Sequence, residues 1–354
     1  MHHRKLPNRK LTQQRGVAIL TVLVVVALVV TLAALIFARQ SRAVRQTDNY
    51  QSLERAWQYA FALEQFVGME LQRDQQDNKY DALSEGWATQ LPTLPIEEGN
   101  GVKVGEFKGK LEDLQARFNL NNVLDEKGKL RTNGEDQQLK ELVKLSSLPS
   151  GFADTIIDWV DADSIIQTGE SAESDYYLSG AVPYRAANRA FADASEVRLL
   201  RLDITDPKEK EQMLADFLRN ATVLPAKTST KINANTATDV VLKAIGLSQN
   251  SVDTIAAART AETPYKTTGD LFAALDPVDQ AKQEQLSKVL DVASQYFRLT
   301  GEVRLGRARV YVNSVFFRET GKPIRVIMRQ FDRVNEPEKD DTTTDDANTT
   351  PANT

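Results

Sequence analysis

The chain has 354 residues, 41% of them hydrophobic and 26% charged, with 44 lysines and arginines against 49 aspartates and glutamates. That length and apolar share suffice for a sizeable core in one large or two modest domains. There is no cysteine, and the only histidines are His2 and His3, so downstream of the first few residues disulfides, Ser-His-Asp and Cys-His catalysis and Cys- or His-ligated zinc are all excluded. No carboxylate-pair or lysine motif takes their place, and the expectation is a protein that is not an enzyme.

The chain opens with a basic leader (Arg4, Lys5, Arg9, Lys10, Arg15) closed by Gly16, followed by the uncharged stretch Val17 to Ala38. A helix of that length just crosses a hydrocarbon core of roughly 30 Å. A cleaved secretory signal would have a shorter apolar region and a small-residue cleavage site, so the stretch reads as a signal anchor with the leader in the cytoplasm and the rest exported. Without the five basic leader residues, 39 basic residues face 49 acidic ones, a formal charge of about −10. That balance disfavours nucleic acid and anionic membrane surfaces and suits protein partners or a divalent cation.

Beyond Arg39, Arg42 and Arg45, the positions Leu53, Trp57, Ala60, Leu63, Val67 and Leu71 recur every three or four residues and predict an amphipathic helix over 46–73, with Trp57, Phe61 and Phe66 in a core. Residues 72–101, with Pro92, Pro95 and Gly99, read as a loop. Two short strands are expected next, over 102–107 and 111–118, turning at Gly109-Lys110. From about Asp136 to Ser294 the pattern is helical, with a capping box at Asp193 and Glu196. Strand alternation returns at Val303 and Leu305, slips phase at Gly306, resumes at Ala308, Val310 and Val312, and passes the hairpin loop 319–323 to Ile324, Val326 and Met328. The segment from Glu336 has alanine as its only apolar residue and is expected to be disordered.

Strands on both sides of a helical block most simply pair into one sheet, so the fold class is α+β with a large inserted all-α domain. The expected divisions are a leader 1–16, a transmembrane helix 17–38, a first part of the α+β domain 39–135, the helical insert 136–294, closing strands 295–334 and an acidic tail 335–354. The densest acids in the insert are Asp158, Asp161, Asp163, Glu170, Glu173 and Asp175. Alternating carboxylates on a loop with Gly169 suit a hard cation such as calcium, which takes six to eight oxygens, or simply form a solvated acidic loop. The run Ile232-Asn233-Ala234-Asn235-Thr236-Ala237, continued by Ile245-Gly246-Leu247, resembles a helix-hairpin-helix unit of membrane-anchored DNA receptors. It lacks the Gly-x-Gly and basic residues used for phosphate, and reads as a packing module.

Arg15-Gly16 ahead of an uninterrupted apolar helix resembles a type III signal sequence, which a prepilin peptidase cuts between Gly16 and Val17. Thr21 then stands at position five, where most pilins have Glu. Together with Leu120-Asn121-Asn122, Ile157-Asp158-Trp159-Val160-Asp161-Ala162-Asp163, Pro183-Tyr184-Arg185-Ala186-Ala187-Asn188-Arg189, Phe191-Ala192-Asp193 and the 232–237 run, this resembles the general secretion pathway protein K family of minor pseudopilins. The resemblance implies a pilin-like long N-terminal helix on an antiparallel sheet with the inserted helical domain. It implies a single-pass inner-membrane protein, mostly periplasmic, at the tip of the type II secretion pseudopilus. The implied partners are the I- and J-type minor pseudopilins, the major pseudopilin, the prepilin peptidase, the secretin and secreted substrates, with no nucleic acid. It also implies calcium in the helical domain, with Asp161, Asp163, Glu170, Glu173 and Asp175 as the candidate ligands.

Overall fold

The computed structural model describes residues 15–89, 91–97, 99, 101–131, 134–225 and 229–332; the leader ahead of Arg15 and the acidic tail expected from 335 lie outside the described residues. One helix, α1, runs unbroken from Arg15 to Asp77, about 95 Å at 1.5 Å per residue. Its apolar N-terminal stretch packs against nothing among the described residues and is long and apolar enough to cross a membrane. From Ala56 the helix turns one face inward, burying Ala56, Ala60, Leu63, Val67 and Leu71 at the three-and-four spacing that the pattern demands. The aromatics divide differently from expectation. Trp57 packs edge-on to Phe331 at 4.9 Å, whereas Phe61 and Phe66 sit at the margin of the helix, each 42% exposed.

The sheet has five antiparallel strands in spatial order β1 (Leu91–Glu97), β2 (Lys103–Asp113), β3 (Tyr296–Leu305), β4 (Ala308–Phe317) and β5 (Arg325–Asp332). β1 occupies the stretch expected as a loop. It can carry Pro92 and Pro95 because it is an edge strand, paired on one side only. β2 is one continuous strand where two were expected, and Gly109 is no turn: it pairs with Gly301 across the β2–β3 ladder. The Phe107 ring lies over this glycine pair, so a Cβ at Gly301 would come within 2.7 Å of the ring and 2.8 Å of the Lys108 carbonyl oxygen. Gly301→Ala is therefore expected to destabilise the sheet by about 1–3 kcal/mol through overpacking, read as a lower urea midpoint. The phase slip at Gly306 is a two-residue hairpin turn, with Gly306 at φ +57° joining β3 to β4.

The inner sheet face presents Phe297, Leu299, Val303, Val310, Val312 and Phe316 to α1, forming the first core. Within it, buried Glu64 of α1 takes a hydrogen bond from the Ser314 hydroxyl and pairs with Arg329, whose Nε lies 2.9 Å from the carboxylate. A buried carboxylate needs that compensation.

Between β2 and β3 the chain builds the second, helical core. Its helices are α2 (Glu135–Leu145), α3 (Gly151–Val160), α4 (Ser174–Leu178), α5 (Pro207–Asn220), α6 (Asp239–Ala244), α7 (Gln249–Thr260), α8 (Thr268–Ala274) and α9 (Gln280–Val289). This core already takes in Phe118, Leu120, Val123 and Leu124, which precede the boundary expected at 136. Two short parallel bridges, Phe118–Asn119 with Ala221–Thr222 and Ile232–Asn233 with Leu290–Asp291, tie distant parts of the insert together.

Candidate functional site

The acidic loop leaves the end of α3, a helix whose ten residues are all buried. Asp158, one turn from that end, accepts the Gln167 backbone N–H at 3.2 Å and so folds the loop back on the helix. Asp163 turns the loop locally by accepting the Ile165 N–H at 2.8 Å. Asn188 clamps it from outside: its backbone N–H donates to the Trp159 carbonyl at 2.9 Å and its side-chain amide to the Asp163 carbonyl at 2.6 Å. Behind the loop, Trp159 meets Tyr177 edge-on at 5.3 Å, and Tyr177 stacks on Tyr184 at 5.1 Å.

In this frame, carboxylate oxygens of Asp161, Asp163 and Glu173 all lie within 4.8 Å of one another. Both side-chain oxygens of Asp161, Oε1 of Glu173 and Oδ1 of Asn188 are buried with no hydrogen-bond partner among the described residues. Burial, reinforced by the charges of Asp163 and Asp158, pushes the Asp161 carboxyl up to about 6. Burial, with the charge of Asp161 as the main repulsive neighbour, pushes Glu173 up to about 7. Buried acceptor oxygens without donors, crowded by like charge, are costly unless a cation joins them.

Of the five candidate ligands, the structure brings together Asp161, Asp163 and Glu173. Glu170 is exposed and its carboxylate lies against Gly151 at the start of α3, while Asp175 is exposed on the first turn of α4. Asn188, which clamps the loop through the Trp159 and Asp163 carbonyls, is missed by the acid count. Its only sequence signal is the 183–189 phrase, which carries no negative charge. The donor set is all oxygen, suited to a hard cation and unsuited to zinc.

At the other end of the chain, Gly16 and Val17 fall in the first turn of α1. The Thr21 hydroxyl donates to the Ala18 carbonyl at 2.9 Å, so its polar group is satisfied inside its own helix. The remaining phrases build seams. Asn121 donates to the Phe191 and Leu224 carbonyls at 3.0 and 2.8 Å and accepts the Phe191 N–H at 2.8 Å. Asn235 exchanges a pair of 2.9 Å bonds with the Tyr265 backbone, and Asn233 donates to Asp113 and to the Asp81 carbonyl. In the 237–260 region α6 and α7 meet through Gly246 at φ +91°, and Arg259 pairs with Asp239.

Comparison with known proteins agrees with this architecture. The family model for type II secretion system protein K matches residues 116–226. Type II secretion system protein K of Pseudomonas aeruginosa is 33% identical over 330 residues, 89% of this chain and 92% of that protein. The proteins of the same name from Pectobacterium carotovorum and Aeromonas hydrophila are each 28% identical over about nine-tenths of this chain. Among solved structures, a chain of the GspK-GspI-GspJ complex from the enterotoxigenic Escherichia coli type 2 secretion system superposes with a TM-score of 0.66 at 23% identity, covering 82% of this chain and all of that one. With a long helix, an antiparallel sheet, a helical insert and that identity across nearly its whole length, the chain belongs to the type II secretion system protein K family of minor pseudopilins.

Proposed function

We propose that this protein caps the tip of the type II secretion pseudopilus, where it joins I- and J-type minor pseudopilins to prime assembly. The apolar half of α1 holds it in the inner membrane beforehand, with the sheet and the helical insert in the periplasm. A prepilin peptidase cuts between Gly16 and Val17. The observation that carries the tip placement is Thr21. A glutamate at that position needs a partner in a neighbouring subunit, because an unpaired carboxylate costs several kcal/mol in hydrocarbon. Thr21 satisfies its hydroxyl on Ala18 and needs no neighbour above it. The breadth of the helical insert supports the same reading, since it obstructs stacking of a further subunit. The similarity to a GspK-GspI-GspJ complex supports the choice of partners. Immunogold labelling of sheared pseudopili should decorate one end only; gold along the length would overturn the reading.

The role is structural, without catalysis. Calcium is the cation that the acidic loop would take: Asp161, Asp163 and Glu173 would supply carboxylate oxygens, and Asn188 an amide oxygen. Its effect would be to lock the loop between α3 and α4. The DNA-receptor alternative has no support from the comparisons, and the α6–α7 pair commits its Arg259 to Asp239.

A further inference from the structure

The outer face of the sheet, turned away from α1, meets the helical insert in an open cleft of about 500 Å³. Leu114, Val315 and Met328 form part of an apolar floor, and Arg117, Arg198 and Arg298 converge on it. Two of these arginines are committed. Arg198 forks onto Glu211, with Nη2 at 2.8 Å, and Arg117 pairs with Glu112 at 3.3 Å. Arg298 is different: among the described residues it forms no ion pair, and its Nε is buried without a hydrogen-bond acceptor. Asn313, beside it in the cleft, leaves its Oδ1 buried and unpartnered as well.

The carboxylates near Arg298 are already engaged. Glu112 is taken by Arg117 and by Lys110, the latter at 2.8 Å, and Asp193 caps its own turn by accepting the Ser195 N–H at 2.8 Å. Burial and the neighbouring Arg117 charge together lower the Arg298 pKa. A half-buried guanidinium in that position asks for an anion.

We propose that the cleft is the docking site of the chain's own acidic tail, residues 335–354, with Arg298 as the anchor. Where the tail starts makes it the natural occupant. β5 lines the cleft with Met328 and Gln330 and ends at Asp332, two residues beyond Gln330. At about 3.3 Å per residue, residue 335 lies at most about 17 Å along the chain from Gln330, a gap that a twenty-residue tail can span back across. Charge agrees too, since the tail carries Glu336, Glu338, Asp340, Asp341, Asp345 and Asp346 against a single lysine, Lys339. An intramolecular carboxylate held at high effective concentration needs little intrinsic affinity to occupy the site. The tail then acts as a built-in competitor, and only a more acidic or more apolar segment from a partner displaces it.

The test uses full-length protein in detergent micelles, a chain ending at Val334, and a fluorescein-labelled synthetic peptide of residues 335–354 read by anisotropy. The shortened chain should bind the peptide at low salt and lose affinity as salt rises to roughly 0.3 M. Full-length protein should bind it about tenfold more weakly, and Arg298→Gln in the shortened chain should lose about tenfold as well, each equivalent to about 1.4 kcal/mol. No binding by the shortened chain, or equal binding by both lengths, overturns the proposal. Equal binding would leave the cleft to an acidic partner instead. A second measurement does not depend on the arginine variant. The chain has no cysteine, so a full-length Ala192→Cys, Asp341→Cys pair can be oxidised without background. An intrachain crosslink is expected; its absence counts against the tail.

Discussion

Replacing Arg318 by methionine is expected to destabilise the folded chain by about 3–5 kcal/mol, the range for breaking a buried ion pair by removing one partner. Arg318 follows β4 and reaches into the junction of the two cores. Its Nη1 donates to Asp74 at 2.8 Å, its Nη2 to the Asp81 carboxylate and, at 2.9 Å, to the Ser294 carbonyl, and its plane lies 4.7 Å from the Phe297 ring centre. Asp81 also takes the Ser294 N–H at 2.7 Å. Asp113, next in the network, takes the Ser294 and Thr236 hydroxyls, each at 2.6 Å. One guanidinium thus neutralises the polar centre that joins the end of α1, the end of β2 and both borders of the insert. Methionine fills the volume and leaves two carboxylates unpaired.

The loss should also depend on pH, with a definite sign. Burial outweighs Arg318 and pushes the Asp81 carboxyl up to about 7, above its ordinary 3.8. Between those values the folded state holds a proton that the unfolded state has shed, so stability falls as pH rises from about 4 to about 7. Without Arg318 the folded pKa rises further and the decline extends upward. The Arg318→Met penalty, from urea unfolding of the full-length protein in micelles, should be larger at pH 8 than at pH 5. Adding Asp81→Asn should recover part of it at pH 8. A penalty that is equal at both values would mean that Asp81 is not the group left exposed to the loss.

How far the sequence announces these features depends on how local their physics is. The long helix, the β3–β4–β5 meander and the capping box at Asp193 follow from periodicity and short-range hydrogen bonding, and they stand where expected. β1 was hidden because prolines signal loops unless the strand is known to be an edge, which only the sheet order reveals. The continuity of β2 was hidden because Gly109 resembles a turn until Phe107 is seen lying over Gly109 and Gly301. At the acidic loop, the density of acids pointed to the segment where the carboxylates of Asp161, Asp163 and Glu173 cluster. It could not separate Glu173 from Glu170 and Asp175, since that choice depends on how the chain turns between α3 and α4. The Arg318–Asp81 pair was beyond reach for a simpler reason: its members are 237 positions apart in the chain. Of the asparagines in the phrases that betray the family, Asn233 ties the two cores together through Asp81 and Asp113, whereas Asn121 and Asn235 seam the helical core itself.

With calcium in hundredfold excess over its Kd, the folded chain should gain about 2.7 kcal/mol of stability at pH 7.5, as mass action requires of a ligand that binds only the native state. Calcium should flatten the pH dependence that is seen in EDTA. In EDTA, the folded pKa values of about 6 for Asp161 and about 7 for Glu173 exceed their ordinary 3.8 and 4.5, so stability falls as pH rises from about 4 to about 7. Calcium takes the deprotonated carboxylates, so its contribution grows over the same interval and levels off above it. The double variant Asp161→Asn, Glu173→Gln separates the cation reading from a merely solvated loop. It removes the repelling charges while keeping the shape, so in EDTA at pH 7.5 it should be more stable than the parent. It should also be deaf to calcium, because amides replace two of the three carboxylates. Glu170→Gln and Asp175→Asn, on exposed side chains outside the cluster, should leave the calcium response intact. Urea midpoints with and without calcium read all four chains. A parent indifferent to calcium would end the assignment, and a double variant that still responds would move it elsewhere in the molecule.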